Sequence, residues 1–494
     1  MHTREDDVLS LDEESTYPYA PEFLHFIDEA ATVYHAADYF KRELIDAGYV
    51  ELKESEDWIP KLKLGGKYYL TRNSSTLLAF AIGSAYKPGS PVAFIASHID
   101  ALCLKVKPVS NSGNAAPKGG FDRLGVAPYA GGGGAQRWDG SYSTWWDRDL
   151  GLGGRVLVQT KDGSVKENLV KLPNPVARIP SLAVHFGEPA RGPFNYETQM
   201  VPIIGLTRNA EGKEEIIDGS LGKLHSARVL KAVAHELGVN PTDIVDFDLE
   251  LFDFQKANLL GLSGEFISAP RLDDKLCSFS ALTSLINATS DNSFMASSEV
   301  VSMVGLFDME EVGSGLRQGA KGNLVQTVIN RIVEAQVGLK EEEKSRYTTN
   351  LIGQTLGRSF MISADVTHAY NPNFDGIYLE GAAPALNKGV VIAADPNGHM
   401  TTDAVSITLM RLVAQSCNSE LQLFQIRNDS RSGGTVGPTL SERLGCRSID
   451  MSIPQLSMHS IRAMTGAGDP GIGVQFFEGF FRGYQAVQAK VLVQ

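Results

Sequence analysis

The chain reads as an α/β protein, a mixed, mainly parallel sheet flanked by helices, with a β-rich domain inserted into it. Three observations predict this. Beyond residue 260, short apolar runs alternate with longer stretches whose apolar residues recur at helical spacing, the pattern of strands joined through helices. Before residue 105, three short apolar runs follow one another with Asn, Ser, Pro and Gly between them, the punctuation of neighbouring strands. Between these parts the composition shifts toward Gly, Pro and brief β-like stretches. Residues 105–260 are therefore expected to form the inserted unit, and residues 21–104 with 261–494 the main one. At 494 residues and 43% hydrophobic, the chain can bury more than one core.

Taken in order, residues 1–20 are polar and acidic and read as a flexible arm. Ala36, Ala37, Phe40 and Leu44 predict a helix over 34–47, with Gly48 as its C-terminal stop. Tyr68–Arg72, Leu77–Ile82 and Val92–Ala96 predict strands, the third ending just before His98. Inside the insertion, Gly153–Gln159 and Ile179–Val184 are strand candidates. Gly131-Gly132-Gly133-Gly134 reads as a mobile loop, because neither a G-x-x-x-x-G-K-[ST] pattern nor a following helix makes it a phosphate cradle. Further on, Val300–Phe307, Phe360–Ser363, Leu421–Ile426 and Ile449–Ile453 predict strands, and Leu276–Ile286, Ala404–Val413 and Val474–Val487 predict helices. Ligands of open α/β sheets gather beyond the carboxyl ends of strands, which is where His98, Glu310, Asp365 and His459 would lie.

Charge and composition exclude several classes. A net charge of −13 leaves no basic stripe for a phosphate backbone, so nucleic acid is not an expected partner. No run approaches the ~18 apolar residues of a membrane span. Arg4-Glu5-Asp6-Asp7 stands where a secretory signal would carry bases and then an apolar stretch. The four cysteines, Cys103, Cys277, Cys417 and Cys446, lie far apart, as expected of reduced thiols and unlike a cysteine zinc site.

Five segments carry metal-ligand residue types at strand ends: Ser97-His98-Ile99-Asp100, Arg271-Leu272-Asp273-Asp274, Asp308-Met309-Glu310-Glu311-Val312-Gly313, Ser363-Ala364-Asp365 and Gln455-Leu456-Ser457-Met458-His459-Ser460. Two histidines with several carboxylates is the donor set of a two-metal hydrolase, in which one carboxylate bridges two cations ~3.5–4 Å apart. Asp273 is the natural bridge, and Asp100, two residues after His98, suits the second nitrogen of that imidazole. Adjacent acids after an apolar strand cost solvation unless one meets a cation and the other handles a proton. Glu311 on metal and Glu310 as general base divide the work that way. Read one at a time, these residues also fit a solvated turn, a turn-capping Asp or a hydrogen-bonded core His, and His368 fits a cap or a substrate contact. No G-x-S-x-G elbow is present, and no Cys carries a nucleophile signature.

Together and in this order, from about Pro21 to the C-terminus, the segments resemble the aspartyl and vacuolar aminopeptidase family of dizinc metallopeptidases. Pro270 before Arg271, Ser314 after Gly313, Asn371-Pro372-Asn373-Phe374 and Ile461-Arg462 extend the match. The resemblance implies two Zn2+ per subunit, with Mn2+ or Co2+ accepted by the same donors. One ion takes His98, Asp273 and Asp365, and the other Asp273, Glu311 and His459, with Glu310 as general base; Asp100, the expected partner of His98, counts with Glu310 among the catalytic residues. It implies peptide substrates, a middle domain that mediates dimerisation, and dimers assembled into a tetrahedral dodecamer. Ile179-Pro180-Ser181-Leu182-Ala183-Val184-His185 matches a run whose histidine reaches the neighbouring subunit's active site to steady the transition state, so His185 is a catalytic candidate and, with His368, a substrate-binding one.

Two departures refine the reading. The aspartyl-specific branch carries a lysine where Gly389-Val390-Val391-Ile392-Ala393 ends in Ala393, which cannot pair with an acidic side chain. Asp273-Asp274, Asp395-Pro396-Asn397-Gly398-His399-Met400 and Ser430-Arg431-Ser432-Gly433-Gly434-Thr435 look instead like the vacuolar aminopeptidase I branch. The expectation is an aminopeptidase that prefers neutral or apolar N-terminal residues such as leucine. The alternatives are an Asp/Glu-specific enzyme, a dimetal amidase acting on N-acylated substrates, or a self-assembling autophagy cargo or scaffold. The second departure concerns address: vacuolar delivery, with an autophagy receptor as partner, follows from the resemblance, yet the arm is shorter than the branch's propeptide, which leaves a cytoplasmic location as the alternative. Residues 119–146 are longer and richer in Gly than the family pattern.

Overall fold

The computed structural model describes residues 17–130, 142–207, 217–219, 221–338, 349–430 and 433–491. The Gly131–Gly134 loop and most of the expected N-terminal arm lie outside them. The end of that arm differs from expectation. Tyr17 and Tyr19 pack against the core, and a helix, α1 (Ala20–Glu29), starts before Pro21. Phe23, Phe26 and Ile27 on its inner face are fully buried, each worth about 2–3 kcal/mol of transfer free energy. The predicted second helix is α2 (Val33–Asp46), whose N-cap Thr32 accepts from the His35 N–H, with Gly48 in the left-handed region just after it.

Short strands follow: β1 (Val50–Glu51), β2 (Lys67–Arg72), β3 (Thr76–Ile82) and β4 (Val92–His98). The middle of the chain supplies β5 (Cys103–Val106), β6 (Phe121–Arg123), β7 (Val126–Tyr129), β8 (Leu150–Gln159), β9 (Val165–Lys171), β10 (Ile203–Leu206), helix α3 (Ala227–Leu237) and β11 (Ile244–Asp253). Then come β12 (Asn258–Leu260), β13 (Phe266–Ala269), α4 (Leu272–Ser290), α5 (Asn292–Ser297), β14 (Val301–Phe307), α6 (Leu324–Gly338) and α7 (Thr349–Arg358). The remainder is β15 (Phe360–His368), β16 (Val390–Ala393), α8 (Ala404–Ser416), β17 (Leu421–Phe424), α9 (Val436–Leu444), β18 (Arg447–Gln455), β19 (Ala463–Gly466) and α10 (Asp469–Gln488).

The main sheet has the order β1-β2-β3-β14-β4-β15-β18-β16-β17. Its centre, β14, β4, β15 and β18, pairs in parallel, so their carboxyl ends emerge along one edge. These strands are buried on both faces, as parallel strands between helical layers must be. One layer is α1, α2, α4, α8 and α10, whose cluster runs from Ala20 to Val487. Leu324, Val328, Ile332, Leu440 and Leu444 of α6 and α9 close the other face. A second sheet, β7-β5-β11-β8-β9, packs with α3 around its own cluster, from Cys103 to Leu251 with Ile461.

Three expectations change. Ile179–Val184 is not a strand: Pro180 offers no ladder N–H, and the segment runs into a one-turn 3-10 helix, Val184–Phe186. The strand predicted at Phe360–Ser363 continues to His368, so Asp365 lies within it; Val366, buried between Asp365 and Thr367, extends the ladder on β18. The strand starting at Leu421 stops at Phe424 rather than reaching Ile426.

Candidate metal centre

Parallel pairing brings the expected residues to one edge. His98 closes β4 and pairs with Phe307, the last residue of β14, while Ala96 pairs with Ser363, so Asp365 of β15 comes level with His98. Past β14 the backbone turns through Met309 in the left-handed region (φ 70°) into a one-turn 3-10 helix, Glu310–Val312, closed by Gly313 (φ 98°). This turn lets adjacent acids serve one site, which a regular strand would forbid. Asp273 stands at the head of α4 before helical geometry sets in (φ −82°, ψ 112°). His459 sits in the left-handed region (φ 63°) on the turn between β18 and β19. That turn is held by Arg462, whose guanidinium donates to Ser268 O, Asn258 Oδ1 and Asp253 Oδ2 at 2.9, 2.9 and 3.2 Å.

Asp273 lies between the two imidazoles. Its Oδ1 is 3.1 Å from His98 Nε2 and its Oδ2 is 3.3 Å from His459 Nε2. Asp365 Oδ1 is 3.7 Å from His98 Nε2, and Glu311 Oε2 is 3.9 Å from His459 Nε2. Donor atoms of His98, Asp273 and Asp365 fall within 4.8 Å of one another, as do those of Asp273, Glu311 and His459. Glu310 Oε2 faces the same space, 3.9 Å from His98 Nε2. Asp100 Oδ1 lies 3.3 Å from His98 Nδ1 and accepts the Glu310 N–H, while Oδ2 accepts the Glu311 N–H and the Tyr129 hydroxyl.

Asp100, Asp273, Glu310, Glu311 and Asp365 surround the two imidazoles in a site where His98 and Glu311 side chains are only 2% and 3% exposed. Burial, opposed by His98 and reinforced by Asp365, pushes the Glu310 carboxyl up to about 8. Burial also raises Glu311 and Asp365, with the neighbouring Asp273 charge adding to both. Burial works against ionised Asp273 too, but hydrogen bonds from His459 and His98 outweigh it and hold that carboxyl well below the usual range. Burial lowers His459, yet Asp273 and Glu311 lift it to about 9. The cluster thus favours positive charge at its centre. Glu311 Oε1 is buried with no hydrogen-bond partner among the described residues, and imidazole nitrogen with carboxylate oxygen is a donor set that zinc takes. The residues fit a metal site.

Other expected residues lie elsewhere or at its margin. His185 is exposed on the 3-10 turn, beside Val184 and Phe186 at 82% and 66% exposure, with no hydrogen bond or ion pair to the cluster among the described residues. His368 ends β15 with its ring 5.7 Å from that of Phe424. Ala393 is buried in β16, opposite Asp450 of β18. Three supporting contacts escape sequence reasoning: Ser278 Oγ donates to His98 O, Lys275 Nζ to Ile99 O, and Tyr129 to Asp100. The first two carry the one available signal, since Lys275 directly follows Asp273-Asp274 and Ser278 falls about one helical turn beyond. A lone Tyr in a Gly-rich segment carries none.

Fold and site together define a metal-dependent hydrolase on an α/β sheet. The family model described as aminopeptidase I zinc metalloprotease (M18) matches residues 26–481, and the chain belongs to this family of zinc-dependent aminopeptidases. Vacuolar aminopeptidase 1 of Saccharomyces cerevisiae is 42% identical, covering 95% of this chain and 88% of that protein. The aspartyl aminopeptidase of Aspergillus oryzae is 38% identical over 96% and 97%. The crystal structure of prApe1 superposes with a TM-score of 0.88 at 41% identity, covering 96% of each chain. The Ape4 and Nbr1 complex also gives 0.88, at 36% identity over 96% and 87%. The S. cerevisiae mApe1 dodecamer gives 0.81, at 38% identity over 96% and 99%.

Proposed function

We propose that this aminopeptidase removes neutral or apolar N-terminal residues such as leucine from peptides, using two zinc ions per subunit. Asp273, with one oxygen toward each imidazole, is the observation that carries this reading. His98, Asp273 and Asp365 would hold one ion, and Asp273, Glu311 and His459 the other. Bound there, the ions supply Lewis acidity for the scissile carbonyl and lower the pKa of the attacking water. Glu310 takes the proton from that water and passes it to the leaving amine. Asp100 keeps His98 oriented and anchors the backbone of both glutamates. Ala393, 1% exposed and uncharged, offers nothing to an acidic side chain and supports the apolar preference.

Residues 105–260 are read as the dimerisation domain, with His185 acting at the neighbouring subunit's site and dimers assembling into a dodecamer. Exposed Val184, Phe186 and Leu206 support an interface there, and a relative of this fold is a dodecamer. The relatives support a vacuolar location and an autophagy receptor as partner, since one is named vacuolar aminopeptidase 1 and another is in complex with Nbr1.

A panel of aminoacyl substrates assayed with and without chelator tests the activity. Leu is expected to exceed Asp and Glu by about tenfold or more in kcat/KM. Faster cleavage of Asp or Glu overturns the preference and favours the aspartyl alternative. Glu310→Gln is expected to lower kcat by about 10²–10⁴-fold with zinc content unchanged. Retained turnover removes Glu310 from the mechanism.

A further inference from the structure

Tyr129 belongs to β7 of the five-stranded sheet, where its ladder partner is Cys103 of β5. Its side chain leaves that sheet for the edge of the metal site and is 8% exposed. The hydroxyl donates to Asp100 Oδ2 at 2.8 Å and lies 3.5 Å from Asp308 Oδ1. Lys105 Nζ stands 4.3 Å from the ring centroid, so the ring is held from its face as well as its tip. The oxygen that receives the phenol also accepts the Glu311 N–H at 3.1 Å. The other oxygen accepts the Glu310 N–H at 3.2 Å and faces His98 Nδ1 at 3.3 Å. An ionised carboxylate offers about four lone-pair directions. Here four groups address them, and Tyr129 alone comes from the second sheet.

We propose that Tyr129 is a positioning residue for the metal site. By fixing the rotation of the Asp100 carboxylate, it sets the plane of the His98 ring and pins the backbone that presents Glu310 and Glu311. It touches neither substrate nor metal; it acts through Asp100. Removing the hydroxyl leaves the carboxylate held on three sides and free to rock about its Cβ–Cγ bond, and the imidazole rocks with it. Groups that hold the far nitrogen of a metal-bound histidine commonly carry a 10–100-fold effect on metal affinity. The proposal rests on His98 being a ligand.

The test is zinc affinity by competition with a chromophoric chelator, together with steady-state kinetics, on Tyr129→Phe, Asp100→Asn, the double variant and His98→Ala. Tyr129→Phe is expected to weaken zinc binding by about tenfold or more. At saturating zinc its kcat is expected to fall while KM stays within about twofold. In the Asp100→Asn background, adding Tyr129→Phe is expected to cost nothing further. Wild-type affinity in Tyr129→Phe, beside a zinc-depleted His98→Ala, overturns the role of Tyr129 alone. An equal loss in the Asp100→Asn background overturns it too, because the phenol would then act through packing. Zinc held by His98→Ala as tightly as by the wild type overturns the ligand reading itself.

Discussion

Asp273 and Glu311 are the residues whose geometry most constrains the site, one set between two imidazoles and the other buried with an oxygen lacking a hydrogen-bond partner among the described residues. Away from the site, His35 makes a separate prediction. It lies half-buried on α2 with Nδ1 2.8 Å from Thr32 Oγ1, and burial, helped by the charges of Lys171, Arg271 and Arg42, lowers its pKa to about 4. The unfolded chain binds a proton here below about 6.5 while the folded one does not, so stability is complete above pH 6.5 and falls as pH drops toward 4. The loss is on the order of 2 kcal/mol with partial exposure allowed for. His35→Gln is expected to shrink the drop in melting temperature between pH 7 and pH 4.5, and an unchanged drop contradicts the account. The grouping of His98, Asp273, Glu311, Asp365 and His459 was legible in the sequence because each stands in a short motif whose order carries information that no single residue does. Tyr129 was not, because its role depends on the second sheet bringing β7 against Asp100, and nothing local to residue 129 encodes that approach.

Secondary elements were legible where periodicity was strong and short where a functional residue interrupted it. Ala36, Ala37, Phe40 and Leu44 marked α2 to within a residue at each end. The strand at Phe360 looked finished at Ser363 because Asp365 and Thr367 break the apolar run, yet backbone pairing with β18 continues through both. Helix α4 is buried on nearly every side, so only part of it carried a helical stripe. The turn between β18 and β19 stores strain at Ser457 (φ 64°) and His459 (φ 63°), each costing about 1 kcal/mol or more in a non-glycine residue. Arg462 supplies the counterweight through its planar fork. Arg462→Lys keeps the charge but loses the fork, so it is expected to leave the fold intact while His459 loses its fixed position. Dialysis against a weak chelator should then strip zinc several-fold faster than from the wild type. Equal retention shows that the turn holds without the fork.

At the scale of the whole molecule, two sheets meet at the metal site, and the one carrying Tyr129 also carries the exposed turn around His185. If that histidine serves a neighbouring subunit, His185→Ala and Glu310→Gln complement one another. Each chain alone is nearly inactive, but co-assembled they are expected to recover up to about a quarter of wild-type activity, one working site per mixed dimer. Activity that never exceeds the sum of the separate variants places His185 outside the neighbour's site. The strands of the second sheet fall between Cys103 and Asp253, where Gly, Pro and short β runs concentrate in the sequence. The exposed position of His185 was not legible, because Val184 and Phe186 on either side of it look in sequence like any apolar turn. The most direct test of the proposed two-zinc site is the zinc content per chain of metal-equilibrated wild type and Asp273→Asn by mass spectrometry. The account predicts about two ions in the wild type and loss of both in the variant, since that carboxylate belongs to both donor sets. One ion per wild-type chain, or a variant that keeps two, would contradict it.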